Sequence, residues 1–444
     1  MRSFDTVIVG GGPAGLTLAT YLPGKTCVIE HESIGGCHRV RRDRGLFAEH
    51  GPRVYSGAYV NVADVLRDIG TSFRKTFRPY DFSPERIDGK RWFTAFSWRE
   101  MVALSVAYCR YALYDTEYGT GTTMLEWCTA NGFGADSIRY VDAVCSFSDG
   151  ADASRYSLNE FLAGFDQHTL YGFYEPIRAH DKHLFPLWRT HLESKGVTMK
   201  RAHVDRALHE NGRARGVRLS DGTTIGARTV IFAVPPASLV PVLKNSNLAE
   251  PGFERFSRAT KYDPYWSVAF HFEREATVLD HEGFRSTPWG IIYLDMPFAD
   301  ERYKVLSVAA TKWNVPSPAT GKTLKQHVRE KDDDAIVAEI ERQLRLPSKS
   351  TRAAIPTGTY YDTAFVAAAG AGHWPAKLRC CDGLFSVGTH NGLSDYKFTS
   401  MESAVQNALA FCGKKRRRCV HVSDLLRILA TLIFAFLVVR RTNP

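Results

Sequence analysis

The sequence predicts an α/β fold opening on a Rossmann-type βαβ unit, on three observations. Thr6–Val9 is an apolar, β-branched run, the pattern of a parallel strand buried on both faces. Gly10-Gly11-Gly12-Pro13-Ala14-Gly15 follows at once as G-x-G-x-x-G, and Leu16, Ala19 and Leu22 fall on one face of a helix. Cys27-Val28-Ile29 then reads as a second strand that ends on an acid, Glu30.

Each part of that unit has a physical task. Gly10 permits the tight turn, Gly12 lets a pyrophosphate approach the backbone, and Gly15 lets the helix pack closely on the strand. The helix N-terminus, which opens at Pro13 and Ala14, offers free N–H groups beyond the proline, which has none, and a partial positive charge to phosphates. Glu30 is placed to accept hydrogen bonds from a ribose. Together these features predict dinucleotide binding, without choosing between dinucleotides.

The next segment, Ile34-Gly35-Gly36-Cys37-His38-Arg39, makes that choice. It resembles the G-G-R-x-x-S/T segment of the flavin amine oxidase superfamily, which includes amine oxidases, protoporphyrinogen oxidase and carotenoid desaturases. The resemblance implies FAD, with Gly35 and Gly36 passing close to it and Arg39 helping to hold it. Here Cys37-His38 stands between the glycines and the arginine.

The resemblance continues at three places. "LFAEHGPRVYSGAYVNVADVLRDIG" (Leu46–Gly70) looks like the segment after the G-G motif; it implies a turn near the flavin at Gly51-Pro52 and a helix from about Asn61. "HVDRALHENGRARGVRLSDGTTIGARTVIFAVPP" (His203–Pro236) is a run of short strands with hairpin signals at Asn211-Gly212 and Asp221-Gly222. It closes with an apolar strand, Thr229–Val234. In the family, the valine matching Val204 meets the adenine through its backbone. "GLFSVGTHNGLSDYKFTSMESAVQNALAF" (Gly383–Phe411) is similar to the C-terminal FAD motif. A strand, Leu384–Val387, leads through Gly388 into a loop. Thr399 or Ser400 caps a helix starting near Met401, with Glu402 favourable in its first turn. The resemblance aims that helix N-terminus at the flavin pyrimidine ring. Where the family usually has an acid holding the ribityl chain, this chain has Thr389.

These pieces imply one FAD domain assembled from 1–74, 195–254 and 375–413. A substrate domain of mixed sheet and helices, 75–194 and 255–374, is interleaved with it, and a basic linker and membrane-anchor helix, 414–444, follows. Arg329–Leu346 reads as one amphipathic surface helix.

Catalytic residues are less defined, since a flavin carries the redox step itself. Tyr396 sits where the family places the second aromatic of a pair flanking a substrate amine, and Trp374 is a candidate for the first. The lysine that many amine oxidases place near the flavin is replaced by Trp266-Ser267, with Lys261 five residues away. His38, His50, His373 and His390 are acid–base candidates, each against a structural role; His390 ranks first by its place in the flavin-facing loop.

Composition bounds the rest. The chain has 444 residues and a net charge of +10, but eight basic side chains against one acid put +7 of it between Lys414 and Pro444. The near-neutral body argues against nucleic acid as a partner. The nine cysteines form no CxxC pair, so no metal site is expected, and a reducing cytosol is the expected setting. Leu425–Val439 is apolar apart from Arg427 and is read as a C-terminal membrane anchor, with the body in the cytosol. A helix lying on the membrane or packed on the protein are the alternatives, as is a soluble cytoplasmic protein.

Three functions stay open: amine oxidation; dehydrogenation of an apolar, isoprenoid- or tetrapyrrole-like substrate; and a flavin-dependent sugar-nucleotide mutase or a non-catalytic FAD-binding protein.

Overall fold

The computed structural model describes residues 3–48, 53–80, 86–149, 151–260, 264–279, 283–347, 350–360, 372–396 and 400–442. A seven-stranded sheet carries the N-terminal unit. Its strands are β1 (Ser3–Val9), β2 (Thr26–Glu30), β8 (Thr198–Arg201), β9 (Val204–Glu210), β10 (Arg213–Leu219), β11 (Thr224–Phe232) and β16 (Leu384–Ser386), in the order β8-β2-β1-β11-β10-β9, with β16 beside β11. β1 runs parallel to both β2 and β11, with Thr6 opposite Thr26 and Thr229. A period of two sends Ile8, Val28 and Ile231 to one face and Val7, Cys27 and Val230 to the other, and both faces are buried. The first face packs on the helices Pro13–Tyr21, Leu184–Ser194 and Met401–Phe411; the second packs on Pro236–Asn245 and Phe253–Ala259. The meander β9-β10-β11 turns where expected, with Asn211 and Gly212 both at positive φ (50° and 71°) in a two-residue hairpin loop.

A second unit has two parts. A four-stranded antiparallel sheet orders β13 (Ile291–Asp295), β14 (Lys304–Ala310), β12 (Tyr265–Phe272) and β15 (Thr351–Tyr360). A helical cluster with its own core spans Trp92–His168, including the helices Trp98–Leu113 and Leu158–His168. Between the units lie a three-stranded sheet, β5 (Tyr55–Ser56), β7 (Phe173–Pro176) and β6 (Phe77–Pro79), and the short hairpin β3 (Arg42–Asp43) and β4 (Leu46–Phe47).

Two expectations are corrected. The single helix predicted for Arg329–Leu346 is two, Leu324–Glu330 and Asp333–Leu344. Lys331 turns left-handed at φ 56°, and Asp332 caps the second helix by accepting from Ala335 N (3.1 Å). The run Asp332-Asp333-Asp334 is favourable at a helix N-terminus and not in a helix interior. The C-terminal segment does form a helix, Val422–Thr442, but no helix among the described residues is long and apolar enough to cross a membrane. Asp424 and Arg427 interrupt its start and Arg440-Arg441 its end. The uncharged stretch Ile428–Val439 is about 18 Å long, well short of a ~30 Å hydrocarbon core.

The first part of that tail packs on the protein. Arg417 N donates to Asn61 Oδ1 (2.8 Å) and Val420 N to the Tyr171 hydroxyl (2.9 Å). The buried Asp166 carboxylate accepts from Ser423 N (2.7 Å), Ser423 Oγ (2.9 Å) and the Tyr108 hydroxyl (2.8 Å). Arg427 Nε donates to the Ala112 carbonyl (2.7 Å).

Candidate dinucleotide and active site

The two glycine clusters meet in space. Gly35 N donates to the Gly11 carbonyl (2.7 Å), and a Cβ on Gly36, where φ is 57°, would come within 2.9 Å of Gly12 Cα. A Cβ on Gly15 would overlap the Gly10 carbonyl oxygen, so the helix lies against the strand end only because that side chain is absent. The result is a cleft floor of bare backbone at the start of the helix Pro13–Tyr21. That N-terminus has no side-chain cap, and Pro13, Ala14 and Gly15 are buried. Helix N–H groups left without intrahelical partners in such a place fit the phosphates of a dinucleotide.

Glu30 sits at the end of β2 beside this floor. Its Oε2 accepts from Gly11 N (2.8 Å) and its Oε1 from Glu32 N (3.1 Å), while His31 Nδ1 lies 2.8 Å from Oε1. Ala202 N donates to the Glu30 carbonyl (2.9 Å), which brings buried Val204, first in β9, to the same edge. Arg39 folds back on the second cluster: its Nη1 donates to the Gly36 carbonyl (2.8 Å) and its Nε pairs with Glu32 Oε2 (2.6 Å). Burial opposes ionisation of Glu32, yet the hydrogen bond from Arg41 and the charges of Arg39 and Arg41 hold its carboxyl below the usual range.

At the other end, β16 leads to Gly388, whose N donates to Asn391 Oδ1 (2.9 Å), and Thr389 opens a single tight turn to Asn391. Ser400 caps the helix Met401–Phe411, accepting from Ser403 N (3.1 Å). Met401 is buried at its first position. Glu402 is turned elsewhere: its carboxylate accepts from Asn61 Nδ2 (2.6 Å), Val62 N (2.9 Å) and Gln406 Nε2 (3.0 Å). It therefore caps the neighbouring helix, Val60–Asp68. Gly51, His50 and Lys261 lie outside the described residues.

The aromatic pair does not assemble. Tyr396 is buried against the first face of the sheet, edge-on to Tyr59 (5.7 Å), with its hydroxyl 3.0 Å from His168 Nε2. Trp374 packs on Phe253 (5.2 Å) and Phe256 (5.3 Å) at the opposite face. His390 takes its structural role: it is buried, Nε2 is 2.8 Å from Ser386 Oγ, and burial drives its pKa down to about 4. His373 packs against Gly392.

One arrangement was not anticipated. The Tyr55 hydroxyl lies between His38 Nδ1 (3.1 Å), two residues after Gly36, and His180 Nε2 (2.6 Å). Burial, with help from Arg53, keeps both imidazoles neutral, His180 at about 3 and His38 well below its ordinary value. His38 lies in the second glycine segment and Tyr55 in the Leu46–Gly70 segment, but neither pattern pairs them with each other or with His180; His38 alone was visible, as part of the insertion after the second glycine pair.

The family model of an NAD(P)-binding Rossmann-like domain matches residues 8–69. No curated protein matches the chain. Among solved structures, a variant of putrescine oxidase with redesigned cofactor binding superposes with a TM-score of 0.65 at 13% identity, over 93% of this chain and 98% of that one. Cyclohexylamine oxidase from Brevibacterium oxydans gives 0.62 at 14% identity, over 92% and 98%. A fatty acid isomerase from P. acnes gives 0.57 at 12% identity, over 92% and 98%. The chain thus has the amine oxidase-like fold that its motifs resemble.

Proposed function

We propose that the chain is an FAD-dependent oxidoreductase that removes a hydride equivalent from a C–N or C–C bond of a small amine or apolar substrate. The observation that carries this reading is the meeting of two glycine clusters over an uncapped helix N-terminus, with Glu30 and Val204 along one edge. The second bare-backbone run, pressed onto the first, is the segment whose resemblance to the flavin amine oxidase superfamily favours FAD. When bound, FAD supplies the hydride acceptor. Gly12 and the start of the helix would hold its pyrophosphate, Glu30 a ribose, and the backbone of Val204 the adenine. The start of the helix Met401–Phe411 would favour negative charge on the flavin ring. Beside Gly36, the chain His38–Tyr55–His180 holds exchangeable protons on neutral groups.

A second reading, desaturation or double-bond rearrangement of a lipid-soluble substrate, is favoured by one observation: the two aromatics expected to flank an amine lie on opposite faces of the sheet. The isomerase with this fold belongs to the same class of chemistry.

The test is anaerobic titration of the purified full chain, after its visible spectrum is recorded. A flavin spectrum that bleaches with amines supports amine oxidation, and bleaching only with isoprenoid or fatty substrates supports the second reading. A folded chain that binds no flavin and takes up none when FAD is added overturns both.

A further inference from the structure

The C-terminal helix and the helix Trp98–Leu113 lie side by side, joined through Arg427 and Leu426. Each leaves an apolar row in solvent. On Trp98–Leu113 the row is Trp98 (72% exposed), Val102 and Val106 (63%), spaced by four, so it is one face of the helix. An open apolar groove runs along it, between Val102, Cys109 and Tyr114. On the tail the row is Leu425, Ile428, Leu429, Leu432 (62%) and Ile433, the spacing of a second such face. Isolated exposed apolar residues are ordinary, but exposed apolar rows on two helices that pack on each other are of the kind that marks an interaction site.

The charge around the patch identifies what it meets. The sequence from Leu425 to Thr442 contains no acid, and the single acid of Trp98–Leu113, Glu100, is buried. The cations are placed differently: Arg99 lies against Trp98 (5.6 Å) and Arg110 lines the groove. Asp115 and Glu117 lie beyond the end of the first helix. Two apolar helix rows that expose no acid of their own, with Arg99 and Arg110 on the first helix, complement an anionic lipid surface, where the apolar rows enter the acyl boundary and the cations meet the headgroups.

We propose that this two-helix face docks the protein onto the surface of an anionic phospholipid membrane, lying on the bilayer and not crossing it. The inference is independent of the redox reading, since neither row belongs to the dinucleotide site.

Vesicle co-sedimentation of the full chain tests it, using phosphatidylcholine alone and phosphatidylcholine mixed with phosphatidylserine. Binding is expected to the mixed vesicles, to weaken with phosphatidylcholine alone, and to fall at high salt. Brominated lipids are expected to quench a tryptophan emission that Trp98→Phe removes. Val106→Asp, which leaves the tail intact, is expected to weaken partitioning by about tenfold, on the scale of one buried valine; Val106→Leu is expected to retain it. Unchanged circular dichroism controls for folding, and the quenching of wild-type protein stands even if Val106→Asp misfolds. No sedimentation with mixed vesicles, full binding by a folded Val106→Asp, or a lipid-free dimer that Val106→Asp dissolves would each overturn the proposal, the last by assigning the face to a second copy.

Discussion

Gly12 and Gly15 look alike in the motif and do different work. A Cβ on Gly15 meets the Gly10 carbonyl, backbone that cannot yield, whereas a Cβ on Gly12 meets Gly36 Cα at 3.5 Å, an ordinary contact. Gly15→Ala is therefore expected to cost about 2–3 kcal/mol of stability, read from the urea midpoint. Gly12→Ala is expected to keep that midpoint and weaken FAD uptake by about tenfold or more, since its methyl occupies the cleft floor. Equal midpoints for the two variants would refute the distinction. His390 sets a pH prediction at the same scale. Its folded pKa, about 4, is below the unfolded value near 6.5, so the unfolded chain binds the extra proton first. Stability is unaffected above pH 6.5, falls as pH drops below it, and levels off near pH 4. His168 (about 4) and His180 (about 3) act in the same direction. His390→Gln is expected to recover roughly 2 kcal/mol of the loss between pH 6.5 and 5; an unchanged acid slope would count against it.

Among the elements, the helix Met401–Phe411 joins two others. Glu402 reaches from its first turn to the start of Val60–Asp68, and Asn61 there also donates through Nδ2 to the Arg417 carbonyl (2.7 Å). Burial pushes the Glu402 carboxyl up, and its hydrogen bonds pull against that shift. Glu402→Ala leaves several buried donors unpaired, with an expected loss of about 2–4 kcal/mol in chemical denaturation. Glu402→Gln keeps one acceptor oxygen and is expected to lose less. If Ala and Gln cost the same, the cap is not what holds these helices together. The sequence placed Glu402 in the first turn of the helix that the resemblance aims at the flavin. Which neighbour its carboxylate meets depends on residues more than 300 positions away.

For the whole molecule, the tail is divided. Residues up to about Arg427 are structural, since they bond Asn61, Tyr171, Asp166 and Ala112. Beyond them the apolar row is in solvent. A chain ending at Gly413 is expected to melt several degrees lower or to aggregate, because Asp166 loses two of its donors and buried Cys419 and His421 are removed. A chain ending at Ala430 is expected to melt within about 2 °C of the full protein while losing Leu432 and Ile433 from the apolar row. Matching melting temperatures for the two truncations would show that the docked segment adds nothing. This division was not legible in composition: a basic run followed by apolar residues reads as an anchor whether or not Ser423 and Arg427 find partners on other helices.

The parts legible in the sequence share one property: local spacing suffices to define them. The strand, glycine loop, helix and acid of residues 6–30, the Asn211-Gly212 hairpin and the Ser400 cap are each specified within a few residues by sterics and backbone hydrogen bonding. Contacts between distant segments follow from packing, which no local pattern encodes. Gly36 pressed on Gly12, Tyr55 between two histidines, Tyr396 and Trp374 on opposite faces of one sheet, and Asp166 beneath the tail all arise that way. Where a chain must satisfy every buried polar group and fill its core, partners are chosen by proximity in the folded state, and that proximity is a property of the whole chain.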